Sequence, residues 1–255
     1  MKIYAVEIED ICEARLQELS LRVDGSYKRK IEKFFYKKDK IRTLIGQILI
    51  RRIISDQLKL RNEDIVFKKN KYGKPYLENC SEFHFNISHS GDIVVCAVHE
   101  MPVGIDIEQV LYIEDYVEIA ESCYTEKEIS YIAKTGDNSL SRFYDIWTLK
   151  ESYIKCHGKG LAIPLKSFSI DITDRAVTAT INGENSNYLF KNFSVISSAT
   201  KVDALTSPKL QSVCHQNSTV FQALDARSDY RIAVCTLCGN IPNNLIWENQ
   251  NRLIK

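Results

Sequence analysis

The chain has 255 residues, 44% of them hydrophobic, and a formal net charge of +1. That apolar content supports one large domain or two of ordinary size and excludes a disordered chain. Near-zero charge argues against long nucleic acid as a partner, because such binding depends on many cationic contacts to phosphate.

The opening MKIYAVEIED carries Lys2, Glu7, Glu9 and Asp10 and lacks the apolar core of a secretory signal. Within it, Ile3 to Ile8 reads as a strand. Residues 39–58 read as a helix, with Ile41, Leu44, Ile45, Ile48 and Leu49 on one face. "KYGKPY" (71–76) is a turn by its Gly and Pro. "FHFNISHSGDIVVCAV" (83–98) reads as two strands joined at Ser90-Gly91-Asp92. Its longest clean apolar run, Ile93 to Val98, is too short to span a bilayer. Gly104 breaks the chain before a strand, "GIDIE". Residues 113–134 read as one helix and 139–157 as another, with Gly158 and Gly160 as stops and Pro164 beyond. A hairpin is expected over 179–190, a flexible insertion over 197–219, and a last strand over 230–235. The eight cysteines are scattered, which suits reduced thiols and a cytoplasmic protein. The CxxC of Cys235 and Cys238 reads as two buried thiols in a strand. "IVVCAV" and "YRIAVC" echo one another, as do the two long helices, which suggests similar halves meeting near residue 105.

Several clusters carry possible chemistry. In "GIDIE", Ile105 and Ile107 share one strand face, and Asp106 and Glu108 share the other. Such acids are either solvated edge residues or ligands of a hard divalent cation. "WTLKESYIKCHGKG" sets Trp147, Glu151 and Lys155 on one helix face with Lys150 beside them. A surface Glu–Lys pair is one reading; a third carboxylate with lysines for a metal–pyrophosphate site is the other. In "NISHSG", Ser88, His89, Ser90 and Gly91 offer donors at a strand-to-turn junction. "KRKIEKFFYKKDKIR" holds eight Lys or Arg between Lys28 and Arg42, a solvated helix face or a grip for a nucleotide-sized anion, to which Lys74 adds a cation. "TEKE" (125–128) fits a capping box, with Glu128 reaching back to Thr125; a general-base role for Glu128 stays open.

"FNISHSG", "GIDIE", "FYDIWTLKESYIK" and "GKGL", in this order and at these separations, resemble the 4′-phosphopantetheinyl transferases. The resemblance is to the larger class typified by the surfactin-synthetase activator. It runs from residue 1 to about 170 and resumes at "YRIAVC". It implies an α+β protein of two similar halves related by a pseudo-two-fold axis, each a small antiparallel sheet packed on helices. Divided at the echo, the N-terminal half is 1–104 and the C-terminal half 105–255. Coenzyme A would lie in the cleft between them, and its phosphopantetheine arm would pass to a serine of an apo carrier protein with release of 3′,5′-ADP. The resemblance implies Mg²⁺ on Asp106, Glu108 and Glu151, with Lys155 on the phosphates. Either Glu151 or Glu128 would take the serine proton. Coenzyme A contacts would fall on Lys30, Thr43, Gly73, Lys74, Pro75, Ser88, His89, Ser90 and Gly91. A monomer, with neither nucleic acid nor membrane as partner, is expected. Another Mg²⁺-dependent phosphatase or nucleotidyl transferase, or an inactive carrier-binding module, is the alternative. Tyr27, Gln109 and Val110 depart from the family pattern, and residues 171–227 match it poorly.

Overall fold

A computed structural model describes residues 1–134, 136, 138–197 and 229–255. The expected insertion lies, from residue 198 to 219, outside the described residues. Strand β1 (Lys2–Glu7) leads to helices α1 (Glu13–Ser20), α2 (Gly25–Glu32) and α3 (Lys37–Leu58). Short strands β2 (Phe67–Lys69) and β3 (Pro75–Leu77) form a hairpin. Strands β4 (His84–Ser90) and β5 (Ile93–His99) form another, and β6 (Val103–Gln109) follows. Helices α4 (Tyr116–Cys123), α5 (Glu126–Ile132) and α6 (Ser139–His157) come next. Strands β7 (Phe168–Ile172), β8 (Val177–Ile181), β9 (Glu184–Asn185), β10 (Leu189–Ile196), β11 (Asp229–Thr236) and β12 (Ile246–Asn249) precede a final turn of helix, α7 (Gln250–Leu253). Among the described residues, no helix is long and apolar enough to cross a membrane.

Two sheets carry the architecture. One has the order β12-β1-β5-β4 and the other β10-β11-β6. Alternation along β5 explains the layers. Val94, Cys96 and Val98 pack with Ile41, Leu44, Ile45 and Ile48 of α3. Ile93, Val95 and Ala97 point the other way, into a cluster with Ile105 and Ile107 of β6 and Ile232 and Val234 of β11. On the outer face of the second sheet, Ala233 and Cys235 pack with Ile146, Leu149, Tyr153 and Ile154 of α6. The order is therefore α3, sheet, sheet, α6. Strands β5 and β11, the two echoed segments, are apolar on both faces because both faces are covered.

The structure revises several expected elements. The helix over 113–134 is two helices, since Thr125 caps a new start: its N–H donates to Glu128 Oε2 at 2.8 Å. The hairpin over 179–190 is shorter. It turns at Asn182 and Gly183, both with positive φ, and pairs Ile181 with Glu184, while Leu189 and Phe190 cross to β11. Cys235 is buried as expected, but β11 ends at Thr236 and Cys238 is exposed. Gly104 does not break the chain; it is paired with Cys235 inside β6. A Cβ there would stand 2.0 Å from Ser152 O and 2.3 Å from Cys156 N, so glycine is what lets α6 lie directly on β6.

Gly104→Ala adds one methyl at a contact made by helix backbone, which cannot rotate away. The expected cost is about 1–3 kcal/mol, with α6 displaced from β6. Urea unfolding of the variant beside wild type measures it; equal midpoints would mean that α6 is free to shift without loss.

Candidate active site

Strand β4 is an edge of the first sheet and β6 an edge of the second, and side chains knit them together. Asn86, Ser88 and Ser90 alternate onto the face of β4 turned to β6. The Ile105 N–H donates to Asn86 Oδ1 at 2.9 Å, and the Gln109 N–H donates to Ser90 Oγ at 3.0 Å. Ser88 Oγ donates to Asp106 Oδ1 at 2.9 Å, and Ser90 Oγ donates to Glu108 Oε2 at 2.8 Å. The serines of "NISHS" are thus first of all supports for the two acids of "GIDIE".

From above, α6 supplies Lys155. Its ammonium donates to Asp106 Oδ1 at 2.5 Å and to Ser88 Oγ at 3.1 Å. Asp106 is only 2% exposed, and its Oδ2 is buried with no hydrogen-bond partner. Burial raises the Asp106 carboxyl above its ordinary value, with Lys155 opposing. Glu108 is pushed up to about 7 by burial first and by the Asp106 charge second, with Glu151 adding to it. Burial also raises Glu151, one helical turn before Lys155; Lys155 opposes this and Asp106 adds to it. Three desolvated carboxylates therefore share one field with one ammonium.

The donors are of the kind a hard divalent cation takes, all carboxylate oxygens, and Asp106 Oδ2 is buried without a hydrogen-bond partner. Among the described residues, however, no group of three or more His, Cys, Asp or Glu is arranged so that it could hold a metal ion. Lys155 instead neutralises Asp106, so Asp106 is not the unpaired acid that its motif suggests.

The remaining expected residues divide by environment. His89 is exposed on the other face of β4, where partial desolvation and then the nearby Arg42 cation hold its pKa down, with Lys155 and Lys30 contributing. His89 therefore favours its neutral form, within the field of Arg42, Lys155 and Lys30. Lys30 is exposed on α2 and lies 5.9 Å from the Phe34 ring centroid. Thr43, on α3, is buried and its Oγ1 has no partner. Gly73 has φ +93° at the tip between β2 and β3, with open space around it, and Pro75 begins β3. Gly91 (φ +52°) makes the β4–β5 turn. A Cβ there would stand 2.4 Å from Tyr230 Oη, the same hydroxyl that accepts from the Asp92 N–H at 3.0 Å.

Glu128, Lys150 and Lys74 are held elsewhere. Glu128 is fully buried. Its Oε1 accepts from the Ile170 N–H at 2.7 Å and pairs with Lys150 Nζ at 2.8 Å, while Oε2 accepts from Thr125. Lys150 is equally buried and also donates to Leu165 O and Phe168 O at 2.8 and 2.7 Å. Adjacent residues of a helix point about 100° apart, so Lys150 faces inward while Glu151 faces the acids. The hydrogen bonds and ion pair of Glu128 thus tie it to Thr125, Ile170 and Lys150 rather than to the acids of β6. Lys74 directs its ammonium to three backbone carbonyls, those of Val103, Lys155 and Cys156. Sequence reasoning missed two supports, Asn86 and Tyr230. Asn86 sits two residues before Ser88 on the same strand face, which was a usable signal; Tyr230 is distant in sequence and left none.

Removing one member of the Glu128–Lys150 pair strands the other in the core. Lys150→Met or Glu128→Leu alone is expected to lose about 3–5 kcal/mol, and the double variant to recover much of it. A double-mutant cycle by urea unfolding checks this; additive losses would contradict the pairing.

Residues 102–235 match a model described as the 4′-phosphopantetheinyl transferase superfamily, and residues 12–101 match one described as 4′-phosphopantetheinyl transferase, N-terminal. The chain is 38% identical over 198 residues to 4′-phosphopantetheinyl transferase Sfp of Bacillus subtilis (strain 168), covering 76% of this chain and 88% of the relative. It is 44% identical over 154 residues to 4′-phosphopantetheinyl transferase gsp of Aneurinibacillus migulanus, covering 60% and 63%. A more distant similarity, 33% over 159 residues, is to the L-aminoadipate-semialdehyde dehydrogenase-phosphopantetheinyl transferase of Mus musculus, covering 57% and 52%.

Proposed function

The chain belongs to the 4′-phosphopantetheinyl transferase superfamily and is an enzyme of that type, and from this premise we propose that coenzyme A is its donor and a serine of an apo carrier protein its acceptor. The observation that carries the reading is the triangle of buried Asp106 and Ser88 with half-buried Lys155, beside Glu108 and Glu151. A half-exposed ammonium held against a carboxylate is placed to meet a diphosphate that arrives from solvent.

In this reading the serine hydroxyl attacks the β-phosphorus of coenzyme A. The phosphopantetheinyl group becomes a phosphodiester on the carrier, and 3′,5′-ADP leaves. Asp106, Glu108 and Glu151 would hold Mg²⁺, which supplies charge neutralisation at the diphosphate when bound. Lys155 offsets charge on the departing phosphate. Glu151 takes the serine proton, directly or through water, because both oxygens of Glu128 are spent on Thr125, Ile170 and Lys150. Lys30, Thr43, His89 and Arg42 line the approach of the anionic end of the donor. Support for Thr43 is its buried, unpartnered hydroxyl, and for His89 its setting among cations.

We read the fold as two halves related by a pseudo-two-fold axis and divided near residue 104, with the donor in the cleft where β4 meets β6. The like placement of α3 on β5 and α6 on β11 supports this. Both halves contribute to the site within one chain, which suits a monomer. The scattered free thiols suit a cytoplasmic enzyme, and the near-zero net charge suits one that does not grip nucleic acid.

The test mixes the protein with coenzyme A, Mg²⁺ and an apo peptidyl carrier protein and weighs the carrier. One phosphopantetheinyl group should be gained, with 3′,5′-ADP in equal amount. Unchanged mass across peptidyl, polyketide and acyl carriers would overturn the reading. In the same assay Asp106→Ala should lower turnover roughly 10²–10³-fold, the scale of one lost transition-state contact, with partial recovery as Mg²⁺ is raised. Activity curves against Mg²⁺ that coincide for wild type, Asp106→Ala and Glu151→Ala would show that these acids hold no metal.

A further inference from the structure

The turn between β2 and β3 sits against the end of α6. Asn70 Oδ1 accepts from the Tyr72 and Lys74 N–H groups at 2.9 and 3.0 Å, which closes the turn on itself. Its Nδ2 donates across to Gly158 O at 2.8 Å. Lys74 Nζ reaches further in and donates to Lys155 O at 2.6 Å, Val103 O at 3.0 Å and Cys156 O at 3.2 Å. An ammonium has three protons, and here each has a carbonyl. Lys155 and Cys156 belong to the last turn of α6, whose carbonyls have no partner within the helix. The helix C-terminus is also where a cation is favoured by the backbone dipoles. Gly158 caps α6 at φ +77°, and a Cβ on it would stand 3.0 Å from Lys74 Cδ, so turn and helix end are in direct contact.

The position matters because of what else Lys155 does. Its carbonyl is held by Lys74 while its own ammonium is held by Asp106. Val103, the third acceptor, begins β6, the strand that carries Asp106 and Glu108. One side chain of the first half thus ties the last turn of α6 to the root of β6.

We propose that Lys74 is a positioning residue of the transferase reaction: its ammonium clamps the end of α6 to the start of β6 and so sets Lys155 and Glu151 over Asp106. This replaces the expectation that Lys74 grips coenzyme A through its charge. Its ammonium is saturated by backbone oxygens, and burial lowers its pKa, as expected for a cation withdrawn from solvent. The proposal rests on the transferase reading for its catalytic consequence, but not for the clamp itself.

Lys74→Met and Lys74→Arg distinguish the roles, with kcat and KM for coenzyme A, coenzyme A affinity by calorimetry, and amide hydrogen exchange over residues 153–158 as readouts. A clamp predicts that Lys74→Met lowers kcat about ten-fold or more, leaves coenzyme A affinity within about two-fold, and speeds exchange in the last turn of α6. Lys74→Arg, which keeps donors for the carbonyls, should recover much of kcat and of the protection. Affinity lost about ten-fold with exchange unchanged would overturn the proposal in favour of a phosphate grip. Unchanged kcat with unchanged exchange would also overturn it. A Lys74→Met chain that fails to fold beside a folded, active Lys74→Arg chain supports the clamp, since a side chain that only reaches for a ligand is not needed for folding. Should wild type prove inactive on every carrier, the transferase reading fails, and the exchange comparison still decides whether Lys74 holds the helix.

Discussion

The seating of α6 on β6 is the constraint on which the site depends. Helices usually stand off a sheet by the thickness of their side chains. At Gly104 that thickness vanishes, and helix backbone meets strand at the place where Ser152 and Cys156 cross it. Two residues further along β6 stands Asp106, and one residue back along α6 stands Lys155; their 2.5 Å contact is a consequence of the close approach. If a side chain separated the two elements, the ammonium would retreat and Asp106 would be left as a buried, uncompensated acid. Two neighbours reinforce the seating. The Glu128–Lys150 pair fixes the rotation of α6 from its inner face, and the β2–β3 turn fixes its far end.

Electrostatics explains why so much structure is spent on three acids. Carboxylates drawn out of water near one another resist ionisation, and both Glu108 and Glu151 show it in raised values. The fold tolerates this by giving each of the two strand acids a serine hydroxyl and by bringing one ammonium. What remains is a cluster of carboxyls reluctant to ionise, with the Lys30 and Arg42 cations near enough to His89 to hold it neutral. A ligand that is itself a metal-bound anion satisfies both signs at once; a bare cation or a bare anion satisfies only one.

The sequence was most legible where regular periods operate. The alternation of "GIDIE" correctly separated Ile105 and Ile107 from Asp106 and Glu108 because β6 is apolar on one face and polar on the other. The spacing of Trp147, Glu151 and Lys155 was legible for the same reason on a helix. The capping box was legible too, and it marks the boundary between α4 and α5. Legibility failed where long side chains choose among partners. Lys74 and Lys150 are both lysines next to functional residues, and no local pattern tells that both turn inward to carbonyls. It failed again for short elements such as α1 and for β10, whose pairing with β11 sets Leu189 against Thr236, far along the chain.

Strand β12 has a consequence for synthesis. It pairs in parallel with β1, Tyr4 against Ile246 through Glu7 against Asn249, and Leu253 and Ile254 complete the core that α3 covers. As the chain leaves the ribosome, β1 and β5 can pair early, but the outer edge of β1 stays unpaired until Ile246–Asn249 have been made. An open strand edge is a template for the wrong partner. The apolar N-terminal sheet must therefore wait, one edge bare, for β12, and that interval is when it is most exposed to aggregation.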